Sequence, residues 1–394
     1  MRGPPSSTLR RHRDELSRPA GPIPAADVAI IGGGVIGLAV GWQLLRSGFT
    51  VAIFERGSVG SGASLAATGM LAAAAEFEPG GEALLELARE SQRLWPDFAA
   101  ELAADSDISV DYRTDGVLLV ALSRDEVDRL RFRYKLQQQA GLATEWRDAI
   151  ACRELEPGLR PSVAAGILCA NDHQVDPAGV MSALKQAILR RGGHLFENCS
   201  AGLWREGGQV AGVETDLGQT RATVVVAAAG AWSGQLGLPL PLRPLKGQSL
   251  ALRGSRTRPL LERMVWTEQV HLAPKSDGTI ILGATVEESG FDDAITAGGV
   301  YALLEGGRRA LPGLEDLPLE TIWSGFRPTT IDDAPILGET SIGRLIVATG
   351  HHRNGYLLAP VTAAAIVQLI KRGRAIGPAE AFSLNRFIQP EIAR

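Results

Sequence analysis

The sequence predicts an α/β protein: an open, mostly parallel sheet assembled from distant parts of the chain, with a second domain inserted between those parts. Three observations predict it. A short apolar run leads straight into glycines spaced G-x-G-x-x-G, in "VAIIGGGVIG" (28–37). A second apolar run, "TVAIFE", closes on an acid at Glu55. Two later segments, "ATVVVAAAGAWSGQLG" (222–237) and "GRLIVATGHHRNGYLLAPVTAAAIVQLI" (343–370), begin with the same order of strand, glycine and loop.

The chain starts with 26 basic, Pro- and Ser-rich residues, "MRGPPSSTLRRHRDELSRPAGPIPAA", that lack an apolar core segment. This is not a secretory signal, and a disordered tail is expected there. Val28 to Leu45 runs 18 residues without a charge, long enough to be weighed as a membrane span. Gly32, Gly33, Gly34 and Gly37 disfavour one continuous helix, so the run divides into strand, turn and helix. No membrane segment is expected.

Val28 to Ile31 has the uninterrupted apolar character of a parallel strand covered on both faces. Gly32 then permits a tight turn, Gly34 lets a pyrophosphate approach the backbone, and Gly37 lets helix close on strand. Val35 and Ile36 open the helix, whose free N–H groups and positive dipole end attract phosphate. Glu55, followed by Arg56, stands at the end of the second strand, where a carboxylate binds both ribose hydroxyls of an adenosine. Strand, fingerprint, helix, strand and acid in register define a Rossmann-like dinucleotide-binding unit.

"GSVGSGASLAATGMLAAAAEFEPG" (57–80) is rich in small residues where an NAD-binding fold would continue strand–helix–strand. Small side chains let the chain lie against a large flat ligand, which favours FAD. Ala63, Ser64, Thr68, Gly69 and Met70 are candidate contacts to its phosphates and flavin ring. Gly230 and Trp232 follow one later strand, Gly350 follows the other, and Ala201, ahead of both, completes these cofactor candidates.

Composition narrows the function classes. Charge is nearly balanced, 40 Lys and Arg against 44 Asp and Glu, so there is no electrostatic footprint for nucleic acid or an anionic membrane. Forty-six glycines, many in apolar surroundings, suit backbone packed closely against a ligand. Three scattered cysteines, Cys152, Cys169 and Cys199, fit no disulfide framework and agree with a reducing cytoplasm. His351 and His352 are neighbours whose side chains diverge, and no His-Glu-x-x-His is present, so no metal site is expected.

"SLAATGMLAAAAE", "AAAGAWS", "KGQSL", "GATVE", "SGFRPTTIDDAPILG" and "ATGHHRNGYLLAPVTA" together resemble the D-amino-acid oxidase family of flavoproteins, from Asp27 to the C-terminus. The resemblance implies a Rossmann-like FAD domain and a substrate domain whose large antiparallel sheet roofs the flavin. In that layout residues 27–80, 151–240 and 328–394 form the FAD domain, and 81–150 and 241–327 the substrate domain. It implies non-covalent FAD, since Arg327 to Asp333 contains no cysteine to tether it. It also implies cofactor contacts along His351, His352, Arg353, Asn354, Gly355, Tyr356 and Leu357, with the last long helix starting at Pro360 to Thr362.

Arg327 matches the family arginine that clamps the substrate carboxylate, and Arg353 a second carboxylate contact or a gate. His271 is the main departure, because the family has tyrosine there; Val286 replaces a frequent methionine. His173 reads as a structural residue near the pocket. No side-chain acid–base pair is required. The implied reaction is oxidation of a small amino acid, glycine first and then sarcosine or small D-amino acids, to the imine and glyoxylate. O₂ would take the electrons to give H₂O₂, and the product would feed the thiazole branch of thiamine. A cytoplasmic homo-oligomer is expected. A dehydrogenase passing electrons to a quinone and a non-catalytic FAD subunit share the fingerprint; retention of Arg327 argues against the latter.

Overall fold

The structure, a computed structural model, describes residues 24–373 and 377–387. Most of the expected N-terminal tail lies outside the described residues.

The first sheet runs in the order Ile336–Glu339, Leu345–Thr349, Gly218–Ala227, Ala26–Ile31, Val51–Phe54, His194–Phe196. Along this path neighbours are parallel except at the Ile336–Glu339 edge, and Gln209–Thr215 with Ala201–Glu206 adds an antiparallel extension to Gly218–Ala227. Alternation along the strands feeds two cores, as a pleat requires. Val28, Ile30 and Ile53 face one cluster, while Ala29, Ile31 and Phe54 face the other. The helices Val35–Arg46, Pro177–Arg190 and Gly355–Arg372 cover the first of these faces.

The second sheet is ordered Leu319–Thr330, Leu242–Arg253, Thr279–Gly283, His271–Pro274, Met264–Trp266, Val117–Ala121, Ala165–Cys169, Thr144–Asp148. It is antiparallel except where Met264–Trp266 meets Val117–Ala121. Leu118, Leu250, Leu272 and Leu282 pack toward the helix Ala297–Ala310, while Val117, Leu119 and Ala273 face the main core.

Sheet membership moves the expected domain borders. The helix Glu82–Ser106, assigned to the substrate domain, packs on Gly355–Arg372 and Pro177–Arg190 of the first layer. Ala165–Cys169, assigned to the FAD domain, is a strand of the second sheet. The strand Leu319–Thr330 also runs on past the expected break at 327.

A second correction explains the first. The last long helix starts at Gly355, not at Pro360 to Thr362. Pro360 lies inside it and has no N–H for the carbonyl four residues back. That carbonyl, Tyr356 O, instead accepts Trp95 Nε1 at 3.2 Å. Ser91 Oγ donates to Leu357 O at 2.6 Å and accepts from Val361 N at 3.3 Å. Ser91 and Trp95 thus stitch the proline-broken turn, which fixes helix Glu82–Ser106 to this layer. Among the described residues no helix is long and apolar enough to cross a membrane.

Candidate active site

A cavity of about 810 Å³ lies between the two sheets. Its floor gathers the carboxyl ends of four neighbouring parallel strands, at Ile31, Phe54, Ala228 and Ala348. That is the edge at which open α/β sheets bind ligands.

The glycine turn has the division of labour that its spacing predicts. Gly32 is left-handed at φ +116°, and a Cβ there would meet Ala228 O at 2.3 Å. A Cβ on Gly37 would meet Gly32 O at 2.0 Å, so Gly37 serves helix-on-strand packing and does not line the cavity. A Cβ on Gly34 would meet only Ser64 Oγ, at 3.2 Å, and its backbone faces the cavity. Glu55 accepts Gly33 N at 2.7 Å and Gly57 N at 2.9 Å, which holds its carboxylate at the strand end. Arg56 lies 3.7 Å over the ring of Trp232, which in turn stacks on Phe291.

The small-residue run crosses the cavity. Ala63, Ser64, Thr68, Gly69 and Met70 all line it, with Ala201, Gly230 and Trp232. Ser64 ties three segments together: its Oγ accepts Val35 N at 2.9 Å, and its carbonyl accepts Tyr356 Oη at 3.0 Å. Gly69 sits at φ +81°, and a Cβ would meet Val175 O at 2.1 Å. From the last segment His351, His352, Arg353, Gly355 and Tyr356 line the cavity, whereas Gly350, Asn354 and Leu357 do not. Gly350, at φ +76°, makes the turn out of the strand; Asn354 and Leu357 border a smaller neighbouring cavity.

The second sheet forms the roof. Arg327 is directed over Gly247, where a Cβ would fall 2.7 Å from both terminal nitrogens of its guanidinium. Its Nη1 donates to Thr285 O at 3.1 Å and Lys246 O at 3.3 Å. Among the described residues no carboxylate pairs with it, and burial pulls its pKa below the ordinary arginine value, with Arg353 adding to the effect. Arg353 is different. Its guanidinium pairs with Glu76 and, at 3.2 Å, with Glu78, and the Glu76 charge raises its pKa. The expected second carboxylate contact is therefore already occupied by a protein carboxylate. Glu76 was not singled out from the sequence, although it is the first acid after the small-residue run.

His271 lines the cavity with Trp266 edge-on at 4.2 Å, and its Nδ1 is buried without a hydrogen-bond partner among the described residues. Burial, reinforced by Arg327, lowers its pKa to about 3, so the ring is neutral. The adjacent pair His351 and His352 do diverge: His351 Nε2 meets Thr362 Oγ1 at 3.0 Å, and His352 Nδ1 meets Thr329 Oγ1 at 2.9 Å. His173 bonds Tyr112 Oη at 2.6 Å, away from the cavity, while Val286 lines the cavity and is exposed.

A glycine cradle at strand ends, an acid at the end of the second strand and a half-buried roof guanidinium without a carboxylate partner among the described residues make this a dinucleotide-type cavity with a cation in its roof. Comparison with known proteins agrees. Residues 27–369 match the DAO family model, described as FAD dependent oxidoreductase, and the chain belongs to that family. It is 36% identical over 369 residues to the glycine oxidase of Geobacillus kaustophilus, covering 92% of this chain and 97% of that protein. The crystal structure of glycine oxidase from that organism superposes with a TM-score of 0.87 at 35% identity, over 93% of this chain and 100% of the other. The bifunctional ThiO/ThiG protein of Trichormus variabilis is 36% identical over 365 residues; these are 92% of this chain but 55% of that protein. The chain thus spans about half the length of the bifunctional relative.

The residues present fit FAD. Gly34 and Gly230 face the cavity where no backbone or core atom would stop a phosphate, and Glu55 is held at the strand end, where a carboxylate would meet ribose hydroxyls.

Proposed function

We propose that this chain oxidises glycine, with sarcosine and small D-amino acids as further substrates, and passes the electrons to O₂. Overall, glycine, O₂ and water become glyoxylate, ammonia and H₂O₂. The carrying observation is Arg327: a half-buried guanidinium in the cavity roof with no carboxylate partner among the described residues. With Nη1 taken by two carbonyls, Nε and Nη2 remain for the side-on, two-bond grip that arginine gives a carboxylate. Glu76 neutralises Arg353, so of the two arginines Arg327 and Arg353 it is Arg327 that is left for a substrate carboxylate.

FAD, bound non-covalently along the glycine turn and the 63–70 run, supplies the hydride acceptor. The protein's own contribution is positioning, which fixes the Cα–H direction once the carboxylate is held. Neutral His271 adds a polar contact without a second positive charge. A substrate amine that enters unprotonated requires no side-chain base. The likeness to ThiO/ThiG supports a place in thiamine biosynthesis, with the oxidised glycine feeding the thiazole. Purified protein in air should form glyoxylate and H₂O₂ in equal amounts from glycine. Turnover only with an added artificial acceptor would move the assignment to a dehydrogenase.

A further inference from the structure

Two buried side chains of opposite charge act on one strip of backbone without meeting a counter-ion. Lys275 is 7% exposed and Asp172 0% exposed, and neither has an ion-pair partner among the described residues. Lys275 Nζ donates to Thr68 O at 2.7 Å, Val175 O at 2.8 Å and Gln174 Oε1 at 3.3 Å. Asp172 accepts from Ala74 N at 3.0 Å, Ala75 N at 2.7 Å and Gln92 Nε2 at 2.9 Å. The ammonium therefore holds a carbonyl at the start of the strip Thr68–Glu76, and the carboxylate holds two amides near its end. Between them Met70–Leu71 pairs with His173–Gln174.

Burying an ion without a counter-ion is destabilising relative to an apolar side chain of similar size. Burial is the main cause that lowers Lys275 to about 8, and, against the hydrogen bonds it accepts, raises Asp172 to about 6. Stability gives no reason to keep either charge. What the two share is the strip, and the strip faces the cofactor cavity through Thr68, Gly69, Met70 and Glu76.

We propose that Lys275 and Asp172 are positioning residues for FAD, setting the strip Thr68–Glu76 against the cavity from its two ends. Neither touches the cavity, since both act through backbone. Lys275 directly follows the strand His271–Pro274 of the second sheet, so it also registers the roof against the floor. Once one end of the strip is released, releasing the other has less to disturb, so the two sites are coupled in cofactor binding.

The test is a double-mutant cycle on the FAD dissociation constant, measured by titrating full-length apo-protein, with the visible flavin band recorded for each holo-variant. K275M and D172N should each weaken FAD binding about tenfold and alter the flavin band. The double variant should fall well short of the hundredfold product. K135M, on the exposed face of helix Arg124–Gln139, should change neither readout. An additive double variant, or single variants with unaltered affinity and band, would overturn the proposal. If K275M does not fold, K275Q takes its place in the cycle under the same criteria. None of these readouts depends on which amine is oxidised, so failure here is separable from failure of the glycine assignment.

Discussion

Arg327 and Gly247 form one unit at the residue scale, because the backbone opposite the guanidinium is bare. R327A should keep FAD bound and lose roughly 10²- to 10³-fold in kcat/KM, the scale of losing one partner of a desolvated charge pair. Steady-state kinetics with a flavin spectrum on the same sample checks both halves. G247A places a methyl 2.7 Å from Nη1 and Nη2, but these are the far end of a flexible side chain. It should raise KM severalfold with little change in melting temperature. Both Arg327, singled out in "GFRPTT", and the departure at His271 line the cavity. The neutralisation of Arg353 was not legible: its partner Glu76 stands 277 positions away, and no local pattern records a contact at that range. Gly247 was likewise quoted only within "KGQSL", since a glycine inside a strand shows its purpose only when the facing strand is known.

Elements with strict local grammar were the easiest to read. Strand, glycine turn and helix stand where "VAIIGGGVIG" puts them: Gly37 closes on Gly32 O within the motif, while Gly32 and Gly34 face Ala228 O and Ser64 Oγ from other segments. Gly34 and Gly37 separate binding from folding. G34A should leave the melting of the apo-protein near its original value and weaken FAD binding, since its Cβ meets one hydroxyl at 3.2 Å. G37A should instead destabilise the apo-protein by several kcal/mol, because its Cβ falls 2.0 Å from a backbone carbonyl. Apo melting and FAD titration of the two variants should show opposite patterns. The start of the last helix was misread because proline favours a helix's first turn. Here Pro360 is interior, and Ser91 and Trp95 of another helix take over the bonds it cannot make.

For the whole molecule, the discontinuous sheet was legible as repeated strand–glycine endings, but not which helices cover it or where the second sheet begins and ends. Those follow from side-chain contacts between remote segments. Stability should also respond to pH through buried His351 and half-buried His271 and His352, each lowered to about 3, by burial first and, for His271 and His352, by nearby arginines as well. A depressed histidine pKa favours the neutral ring in the fold, so its contribution is full above pH ~6.5 and is lost as pH falls toward 3. Each should cost about 2 kcal/mol at pH 5 relative to pH 7. H351N should therefore flatten the fall in unfolding free energy by about one proton. FAD removal should lower the melting temperature, since ligand at a hundred times its Kd contributes about 2.7 kcal/mol. The most direct measurement is anaerobic mixing of the FAD-loaded protein with glycine. The long-wavelength flavin band should bleach in the wild type and not in R327A that still carries FAD. An oxidised flavin that persists with glycine, sarcosine and D-alanine alike would contradict the glycine assignment.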